Sequence, residues 1–450
     1  MKKKLLTLML VVALMCTGLV GCGGSGSGDS KDAGNSTGKT ELVLWMTYSD
    51  DSFDGLEQLV DMFNESSDEY HLTMEYGGTT TETIQKLNSL DKEFYPSLFT
   101  GSPDVLYEYS NGGYVVPLQD FLDKDDDQWE EDILDVAKKA YSDKDGVLQG
   151  GILGISAKGW MVNVDMLKAA GYTLDDITSM EKVAEITKAA HDKGLCKYGY
   201  TPYNGNEIVD ILTYQGVDIF DGENGYGDSI TKCLYNEGET HASLNKLMNL
   251  YAGLGDAFYY GGGGASGVSM FTNKQMLFWG CTNSFVYTLS DMNLDFEWAF
   301  VPYVGVDDNA KFKDCAIAEG TGLFISNTGD EKEMQGAYEV IKFLSSPEPQ
   351  LAWCTYRGYI PYTNECVNSE EWLTWRNENF PSAEKLTTQL INTPDELRLP
   401  YCQIGKTLMS ESSKLHSRIS GDATVNVDTY INEITESLNQ AIELMNLRGR

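Results

Sequence analysis

The sequence predicts an α/β fold, because short apolar runs alternate with segments whose apolar residues recur at helical spacing. Residues 42–46 form an apolar run that is typical of a buried strand. Residues 71–76, 83–90 and 104–107 continue the pattern as strand, helix and strand, which predicts a sheet with parallel strands. Between the first two strands, five apolar residues share one helical face: Phe53, Leu56, Leu59, Val60 and Phe63.

Beyond residue 110 the same criteria predict mostly helices, with strands in 150–163 and at 298–301. A polar break at 156–159 divides the first of these stretches. Thr178 and Glu181 form a capping box that predicts a helix running past residue 186. Residues 271–278 predict a helix that leads into a strand. The other predicted helices are 118–122, 129–141, 165–170, 208–215, 337–344, 383–391, 405–414 and 429–446.

Residues 1–21 have the composition of a secretory signal. Lys2, Lys3 and Lys4 precede an apolar run over 5–20, and small residues follow it. That run is shorter than the roughly 20 residues that a bilayer-spanning helix needs. Residues 22–39 are rich in Gly, Ser, Asp and Asn, so they predict a flexible tether ahead of a folded domain.

The composition is strongly acidic. The chain has 33 Lys and Arg against 68 Asp and Glu, which gives a net charge of −35 at pH 7. An acidic surface repels nucleic acid and anionic lipid, so we predict neither as a partner. None of the nine cysteines stands in a C-x-x-C pair, and we expect those after residue 22 to be buried thiols.

No cofactor or metal is predicted. The acidic run at 123–127 starts like a calcium loop, but Gln128 stands at the sixth position and Leu134 at the twelfth. A calcium loop has glycine and glutamate at those positions. We therefore interpret this run as a solvated turn.

The sequence contains no catalytic constellation. The patterns G-x-S-x-G and H-E-x-x-H are missing, and the four histidines are scattered. The pairs Asp50/Asp51 and Asp307/Asp308 could serve a glycoside hydrolase, but adjacent acids arise by chance among 68 acidic residues. We expect a binding protein and keep a surface glycoside hydrolase as an alternative.

The stretch Leu19-Val20-Gly21-Cys22 resembles the lipobox of bacterial lipoproteins. The resemblance implies cleavage before Cys22 and a diacylglyceryl group on its sulfur. Two acyl chains hold a protein durably, whereas one chain binds a bilayer only marginally. Such a protein would lie on the outer face of the cytoplasmic membrane. An ordinary cleaved signal and an uncleaved span are the alternatives.

Several segments together resemble extracellular solute-binding proteins of ABC importers, family 1. No segment is specific alone, but their order and spacing extend over most of the chain. Two departures are the segment 319–322 (EGTG), where the family usually has a glycine-rich turn before a strand, and Trp160 and Met161 in place of two tyrosines. Asn273 also stands in place of a glycine. The segments are 102–105 (SPDV), 112–118 (GGYVVPL), 160–167 (WMVNVDML), 271–276 (FTNKQM), 337–344 (AYEVIKFL) and 358–361 (GYIP).

The resemblance implies a two-lobed periplasmic-binding-protein-like fold of type II, with mixed sheets flanked by helices and a hinge between the lobes. Each lobe is expected to combine two parts of the chain, with crossings near 150–156, 290–299 and 345. Ligand would bind in the cleft and pass to the permease subunits of an ABC transporter, and we expect a monomer. The expected lobes are 40–155 with about 299–345, and about 156–298 with 346–450.

Loop aromatics and polar side chains predict a carbohydrate ligand, with an oligosaccharide as the main hypothesis. Aromatic rings pack against sugar C–H faces, and polar groups hydrogen-bond the hydroxyls. Lys158 or Arg357 could instead hold the phosphate of a glycerol-phosphate compound. Any of these aromatics could simply pack in a core, and any polar residue could simply be exposed. The predicted binding residues are Tyr48, Asp50, Tyr107, Glu108, Lys158, Trp160, Asn163, Tyr203, Asn204, Trp279, Asn283, Glu319, Tyr356 and Arg357.

Overall fold

The computed structural model describes residues 38–47, 52–420 and 426–448. These residues form ten strands and nineteen α-helices. The strands are β1 Thr40–Met46, β2 Tyr70–Tyr76, β3 Leu98–Gly101, β4 Val115–Val116, β5 Gly151–Ser156, β6 Lys158–Asn163, β7 Tyr198–Thr201, β8 Met276–Thr282, β9 Trp298–Pro302 and β10 Glu319–Ser326. The helices are α1 Ser52–Ser66, α2 Thr80–Ser89, α3 Leu106–Asn111, α4 Gln119–Leu122, α5 Asp135–Ala140, α6 Val164–Ala170, α7 Met180–Asp192, α8 Asn206–Gln215, α9 Asp221–Asn224, α10 Gly238–Gly253, α11 Gly264–Thr272, α12 Phe285–Ser290, α13 Glu331–Leu344, α14 Pro347–Arg357, α15 Asn364–Val367, α16 Glu370–Asn379, α17 Ala383–Ile391, α18 Gly405–Ile419 and α19 Val427–Arg448.

The first sheet contains β1 to β5 and β10. Strands β2, β1 and β3 are parallel neighbours, and β10 lies antiparallel beside β3. Strands β4 and β5 both pair antiparallel with β10, at different positions along it. Helices α1, α13 and α14 pack on this sheet. A late strand therefore returns to the interior of a sheet whose other strands all come from the first 156 residues.

The second sheet has the order β7-β8-β6-β9, with β7 and β8 parallel and β6 antiparallel to both of its neighbours. Only Ala157 separates β5 in the first sheet from β6 in the second. We use lobe 1 for β1–β5 and β10 with α1–α5 and α13–α17. Lobe 2 denotes β6–β9 with α6–α12, α18 and α19.

Two apolar clusters accompany the two sheets. The first runs from Leu42 to Leu390 and includes one face of the second sheet, and the second runs from Trp160 to Ile442. The chain changes sheets at residue 157 and again within 303–318, and it passes from the first cluster to the second between Leu390 and Leu397. Residues 351–390, which the sequence analysis assigned to lobe 2, contribute side chains to the first cluster. The exact division into lobes stays a prediction.

Glycine is required where β10 approaches β5. Gly320 has a φ of +133°, and a Cβ at this position would lie 2.1 Å from the carbonyl oxygen of Gly154. A side chain would therefore clash and would also strain the backbone. The glycine allows β10 to pair closely with the strand that leads into Ala157.

One predicted strand is wrong. Residues 104–107 lie in a 3₁₀ turn, Pro103–Val105, and at the start of α3. Ser102 caps this turn by accepting a hydrogen bond from the Asp104 N–H at 3.3 Å, and Pro103 occupies its first turn. The third strand is instead β3, four residues that the periodicity did not single out.

The seven cysteines from Cys196 to Cys402 are all buried thiols in the described part of the chain. Within the described ranges, no helix has both the length and the apolar character needed to cross a membrane.

Candidate functional site

A cavity lies between lobe 1 and lobe 2. It has a volume of about 540 Å³, which falls within the usual range of about 300–1,000 Å³ for ligand sites. Lobe 1 contributes the turn at Pro103, helix α5 and residues 142–146. Lobe 2 contributes Tyr226 and residues 397–402. We call this space the outer cavity.

Three tyrosines line the outer cavity. The Tyr107 and Tyr401 ring centroids are 5.1 Å apart, and those of Tyr226 and Tyr401 are 5.8 Å apart. The Arg398 guanidinium lies 5.0 Å from the centre of the Tyr226 ring. The cavity thus offers aromatic faces with polar tips, which suit a ligand that has both C–H and hydroxyl groups.

A second space of about 180 Å³ adjoins the outer cavity, and we call it the inner cavity. The two share Pro103, Asp104, Leu399, Pro400 and Cys402 as lining residues. The polar lining residues of the inner cavity are Thr80, Ser102, Asp104, Lys158, Asn206, Asp210 and Lys406.

A buried charge cluster forms one wall of the inner cavity. Lys158 Nζ lies 3.4 Å from Asp104 Oδ1 and 3.6 Å from Asp210 Oδ2, and it contacts Glu319 Oε1 directly. Lys158 is 5% exposed, Asp210 2% and Glu319 7%. The four residues come from β6, the turn at Pro103, α8 and β10, so the cluster connects both lobes.

The cluster perturbs the acidity of its members. Burial raises the pKa of Asp210 to about 6, and burial with the neighbouring Asp104 raises that of Glu319 well above its usual value. Burial alone would raise the pKa of Asp104, but the Lys158 ammonium lowers it on balance. Burial disfavours the charged lysine, yet the three carboxyl groups hold the pKa of Lys158 well above its usual value.

Lys406 and Glu108 lie near the same space. The Lys406 ammonium donates a hydrogen bond to the Thr81 hydroxyl, across the lobe boundary. Burial raises the pKa of Glu108 to about 7, although Lys406 acts in the opposite direction. Burial lowers the pKa of Lys406, opposed by Glu108 and Asp104.

Further hydrogen bonds join the lobes around the cavities. Asn206 Nδ2 donates to Asp104 Oδ2 at 3.2 Å, and Asn111 Nδ2 donates to the Tyr401 hydroxyl at 3.2 Å. Lys139 Nζ, on α5, donates to the Pro394 carbonyl at 2.9 Å. The two lobes are therefore in contact on either side of the space that would hold a ligand.

The structure places four of the predicted site residues at the cavities or close to their walls. Lys158 and Glu319 meet in the charge cluster, and Tyr107 lines the outer cavity. Glu108 lies near Lys406, with its buried Oε2 lacking a hydrogen-bond partner among the described residues. Their roles in binding stay predictions.

Tyr203 and Asn204 lie in the loop between β7 and α8, close to the charge cluster. Burial raises the pKa of Tyr203 to about 12, and the Glu319 carboxyl acts in the same direction. Asn204 Oδ1 accepts a hydrogen bond from the Asn206 N–H at 2.8 Å, which supports the first turn of α8. These two residues border the site through the loop that begins α8.

Trp160 and Trp279 lie on opposite faces of the second sheet. Met161 is paired with Trp279, so Trp279 shares a face with Met161 and Trp160 points the other way. Both side chains are fully buried. Trp160 donates from Nε1 to the Tyr200 hydroxyl at 3.1 Å, and Trp279 donates to the Gly262 carbonyl at 3.0 Å. Neither ring has an accessible face, and the two cannot stack on one sugar together.

Two predicted asparagines are structural in their contacts. Asn163 caps α6, because its Oδ1 accepts a hydrogen bond from the Met166 N–H at 2.9 Å. Asn283 Oδ1 accepts from the Ala157 N–H at 2.6 Å, and its Nδ2 donates to the Gly358 carbonyl at 2.7 Å. Asn283 therefore joins the crossing at Ala157 to the end of α14.

Tyr356 and Arg357 lie at the end of α14, away from both cavities. The Tyr356 ring is 5.0 Å from the Tyr287 ring, and the Arg357 guanidinium lies 6.0 Å from the rings of Trp353 and Tyr359. The structure does not bring these two residues to Lys158.

Tyr48 and Asp50 lie outside the described residues, as does the predicted lipid attachment site Cys22. Seven residues that line the cavities were not predicted from the sequence: Asp104, Asp210, Asn206, Lys406, Tyr226, Arg398 and Tyr401. Asp104 had a usable signal, since it belongs to the Ser-Pro-Asp-Val segment. Asp210 had another, because it is an acid inside the apolar helical stretch at 208–215. The remaining five have no local signal, because distant loops converge only in the folded chain.

The described residues contain no group of three or more His, Cys, Asp or Glu arranged to hold a metal ion. In the cluster, the Lys158 ammonium occupies the position between the carboxylates. The arrangement can bind and orient a polar ligand by hydrogen bonds and charge.

Residues 58–381 match the model of a family described as bacterial extracellular solute-binding protein. The sn-glycerol-3-phosphate-binding periplasmic protein of Yersinia enterocolitica is 23% identical over 383 residues, covering 82% of this chain and 83% of that protein. These matches confirm the predicted family resemblance.

Solved structures show the same fold. The protein UgpB from Mycobacterium tuberculosis in complex with glycerophosphocholine has a TM-score of 0.71 at 16% identity, covering 91% of this chain and 100% of that one. An ABC substrate-binding protein from Listeria monocytogenes in complex with cycloalternan has a TM-score of 0.69 at 16% identity, covering 90% and 99%. These similarities confirm the predicted two-lobed fold with mixed sheets.

Proposed function

Because this chain belongs to the bacterial extracellular solute-binding protein family, we propose that it captures a carbohydrate, an oligosaccharide in the main hypothesis, for an ABC importer. The observation that carries the proposal is the pair of adjoining cavities between the lobes. The outer cavity has a tyrosine wall, and the inner cavity has buried hydrogen-bonding groups. Their continuity suits a ligand of more than one unit.

The chemistry of the lining supports a sugar. Tyr107, Tyr226 and Tyr401 offer ring faces for C–H groups and hydroxyl tips for hydrogen bonds. Asp104 and Asp210 accept hydrogen bonds, while Asn206 can both donate and accept. A hydroxyl also does both, so a polyol can satisfy such a mixed lining without an added charge.

A glycerol-phosphate ligand is a second candidate, because the Yersinia relative is named for that ligand. The cations proposed from sequence suit it poorly. Lys158 is already surrounded by three carboxyl groups, and Arg357 lies on Trp353 and Tyr359. A phosphate would depend on Lys406 or Arg398, which line the inner and outer cavities.

The anchor, location and transport partner belong to the same proposal. Cys22 carries the lipid, residues 22–39 act as a tether, and the protein works as a monomer at the outer face of the cytoplasmic membrane. The loaded protein delivers its ligand to the permease subunits of an ABC transporter. We also propose that the chain crosses from one lobe to the other at residues 157, 303–318 and 391–396. At these places it passes between the two sheets or between the two apolar clusters.

A calorimetric screen of neutral oligosaccharides and glycerol phosphates tests the function. We expect a glycan to bind in preference to glycerol phosphates, and we expect the neutral glycans of the screen to show little effect of salt on affinity because no net charge is neutralised. Tyr401→Ala should weaken binding by about tenfold or more, since a well-buried aromatic contact contributes roughly 2 kcal/mol or more. Tyr172→Ala is the matched control, because Tyr172 hydrogen-bonds Glu185 on the exposed surface of lobe 2.

Two outcomes would contradict the carbohydrate proposal, and a third would exclude the tyrosine wall from the binding site. Binding of glycerol phosphates alone, with affinity that falls steeply as salt rises, would favour the second candidate. New reducing ends after incubation with a glycan would indicate a glycoside hydrolase. An unchanged affinity in Tyr401→Ala would remove the tyrosine wall from the site.

A further inference from the structure

We infer that the inner cavity selects a sugar unit that carries a protonated amine. The inference rests on the proposed function, because it names the chemistry of one unit of the captured carbohydrate. It follows from the excess of carboxyl groups over cations in a buried space that both lobes enclose.

The first observation is the composition of the charge cluster. Asp104, Asp210 and Glu319 all converge on the single ammonium of Lys158. Two of these carboxyl groups are almost fully buried, since Asp210 is 2% exposed and Glu319 is 7% exposed. The cluster therefore contains more carboxyl groups than cations.

The second observation is an acceptor with nothing bound to it. Asp210 is 2% exposed and lines the inner cavity. Its Oδ2 faces Lys158 at 3.6 Å, whereas its buried Oδ1 has no hydrogen-bond partner among the residues that the structure describes. A buried carboxylate oxygen without a hydrogen-bond partner raises the free energy of the folded protein. A ligand that donates a hydrogen bond to this oxygen removes that cost and should therefore bind more tightly.

The other charged groups around the inner cavity do not remove the excess of carboxyl groups over cations. Lys406, on α18, lines it and faces Glu108, on α3. Tyr203, from the loop before α8, Tyr214, on α8, and Tyr303 also interact electrostatically with the cluster, and none of them adds a cation. Four carboxyl groups thus face two lysines. A ligand ammonium would supply a further positive charge beside Asp210 and Glu319, which share the single ammonium of Lys158.

The remaining lining favours an amino sugar over a bare amine. Ser102, Thr80 and Asn206 can hydrogen-bond hydroxyls next to the amine. The inner cavity opens onto the outer cavity through shared walls, so a bulky unit or a chain of units can extend past the tyrosines. An ammonium group carries three hydrogen-bond donors on one nitrogen atom, so it can bind acceptors on more than one side of the inner cavity at once.

The test is a matched ligand series measured by isothermal titration calorimetry near neutral pH. Glucosamine, galactosamine, mannosamine and the β-1,4-linked glucosamine disaccharide are each compared with the N-acetyl form and with the 2-hydroxy sugar. Within a set only the group at carbon 2 changes. We expect the amine form to bind about ten to a hundred times more tightly in at least one set, as charge-assisted hydrogen bonds contribute roughly 1.5–3 kcal/mol.

Asp210→Asn is the diagnostic variant. It preserves the side-chain shape and removes one negative charge, so we expect the ratio of the affinities for the amine form and the 2-hydroxy sugar to fall by about tenfold or more. Asp192→Asn is the control, because it makes the same change at the exposed end of α7 and should leave the preference intact. Melting temperatures of all three proteins verify that each one folds.

The outcomes separate this inference from the proposed function. Binding of neutral or N-acetylated glycans with equal or higher affinity than the amine forms would overturn the inference and leave carbohydrate capture standing. An unaltered preference in Asp210→Asn would also overturn it. If no carbohydrate of a wider screen binds, the proposed function fails and the inference fails with it.

Discussion

Glu207 is the most deeply buried acid in lobe 2 outside the charge cluster, with no exposed surface. It accepts hydrogen bonds from the hydroxyls of Tyr200 at 2.8 Å and Tyr251 at 2.6 Å, and from the Tyr203 N–H at 3.0 Å. His416 Nε2 lies 3.7 Å from its Oε1, too far for a hydrogen bond. Burial raises the pKa of Glu207 to about 7 and lowers that of His416 to about 3.

The raised pKa predicts how stability varies with pH. The unfolded chain keeps a pKa near 4.5 for Glu207, so the folded chain holds an extra proton between about pH 4.5 and 7. This contribution is fully present below pH 4.5 and is lost as the pH rises through 7. Relative to Glu207→Gln, the wild type should therefore lose about 3 kcal/mol of unfolding free energy from pH 4.5 to 8.

Urea denaturation of both proteins at several pH values measures this difference. The comparison cancels the titration of most other groups, although His416 lies close enough to couple to the exchanged side chain. Parallel pH profiles for wild type and Glu207→Gln would show that the buried acid does not take up a proton on folding.

A second residue-scale prediction concerns Asn283, which has no exposed surface. Asn283→Ala would leave the Ala157 N–H and the Gly358 carbonyl buried without their partners. Each unsatisfied group costs about 1–3 kcal/mol, so we expect a loss of roughly 2–5 kcal/mol in urea denaturation. Asn273→Ala, at the exposed end of α11, is the control and should cost much less. Equal losses in the two variants would argue against this role for Asn283.

At the scale of elements, strand β6 decides what Trp160 can do. Successive side chains along β6 point to opposite faces of the sheet, so Trp160 lies in the lobe 2 core against Tyr200, Phe278 and Tyr303. Removing a buried tryptophan typically costs about 3–5 kcal/mol because a cavity remains. The side chain is therefore placed to stabilise the sheet rather than to contact a ligand.

This placement predicts that a substitution of Trp160 lowers stability without changing ligand affinity. Trp160→Phe should lower the unfolding free energy by about 1–3 kcal/mol, through the lost volume and the lost hydrogen bond to Tyr200. It should leave ligand affinity unchanged. Calorimetry and chemical denaturation of Trp160→Phe and Tyr401→Phe check both quantities. A large loss of affinity in Trp160→Phe, without a loss of stability, would place Trp160 in the binding site after all.

At the scale of the whole molecule, contacts between the lobes predict closure around the ligand. Separation of the lobes would break the hydrogen bonds of Asp104 with Asn206 and of Asn111 with Tyr401, and it would move Asp104 away from Lys158. Hinge motion about a few connecting residues is the usual motion of such proteins. Small-angle X-ray scattering should show a smaller radius of gyration with saturating ligand than without it. An identical radius in both conditions would indicate lobes that do not move.

Much of the fold could be predicted from local pattern. Alternation of strands and amphipathic helices indicated the α/β class. Helices α1 and α2 coincide closely with predicted segments, whereas α13 ends where predicted but begins six residues earlier. The strand predicted at 104–107 is wrong because Ser102 and Pro103 begin a helical turn there, and local capping overrides apolar character. Strand β10 depends on partners more than 150 residues away, so its central position has no local signal.

The sequence by itself determined the family, the α/β class and a set of site candidates, because these depend on the order of residues along the chain. Only the tertiary structure decided which candidates meet. It moved Trp160 and Trp279 onto opposite faces of a buried sheet and gathered Asp104, Lys158, Asp210 and Glu319 from four elements. The physical reason is that burial and charge pairing depend on which distant segments pack together, and no spacing along the chain encodes that directly.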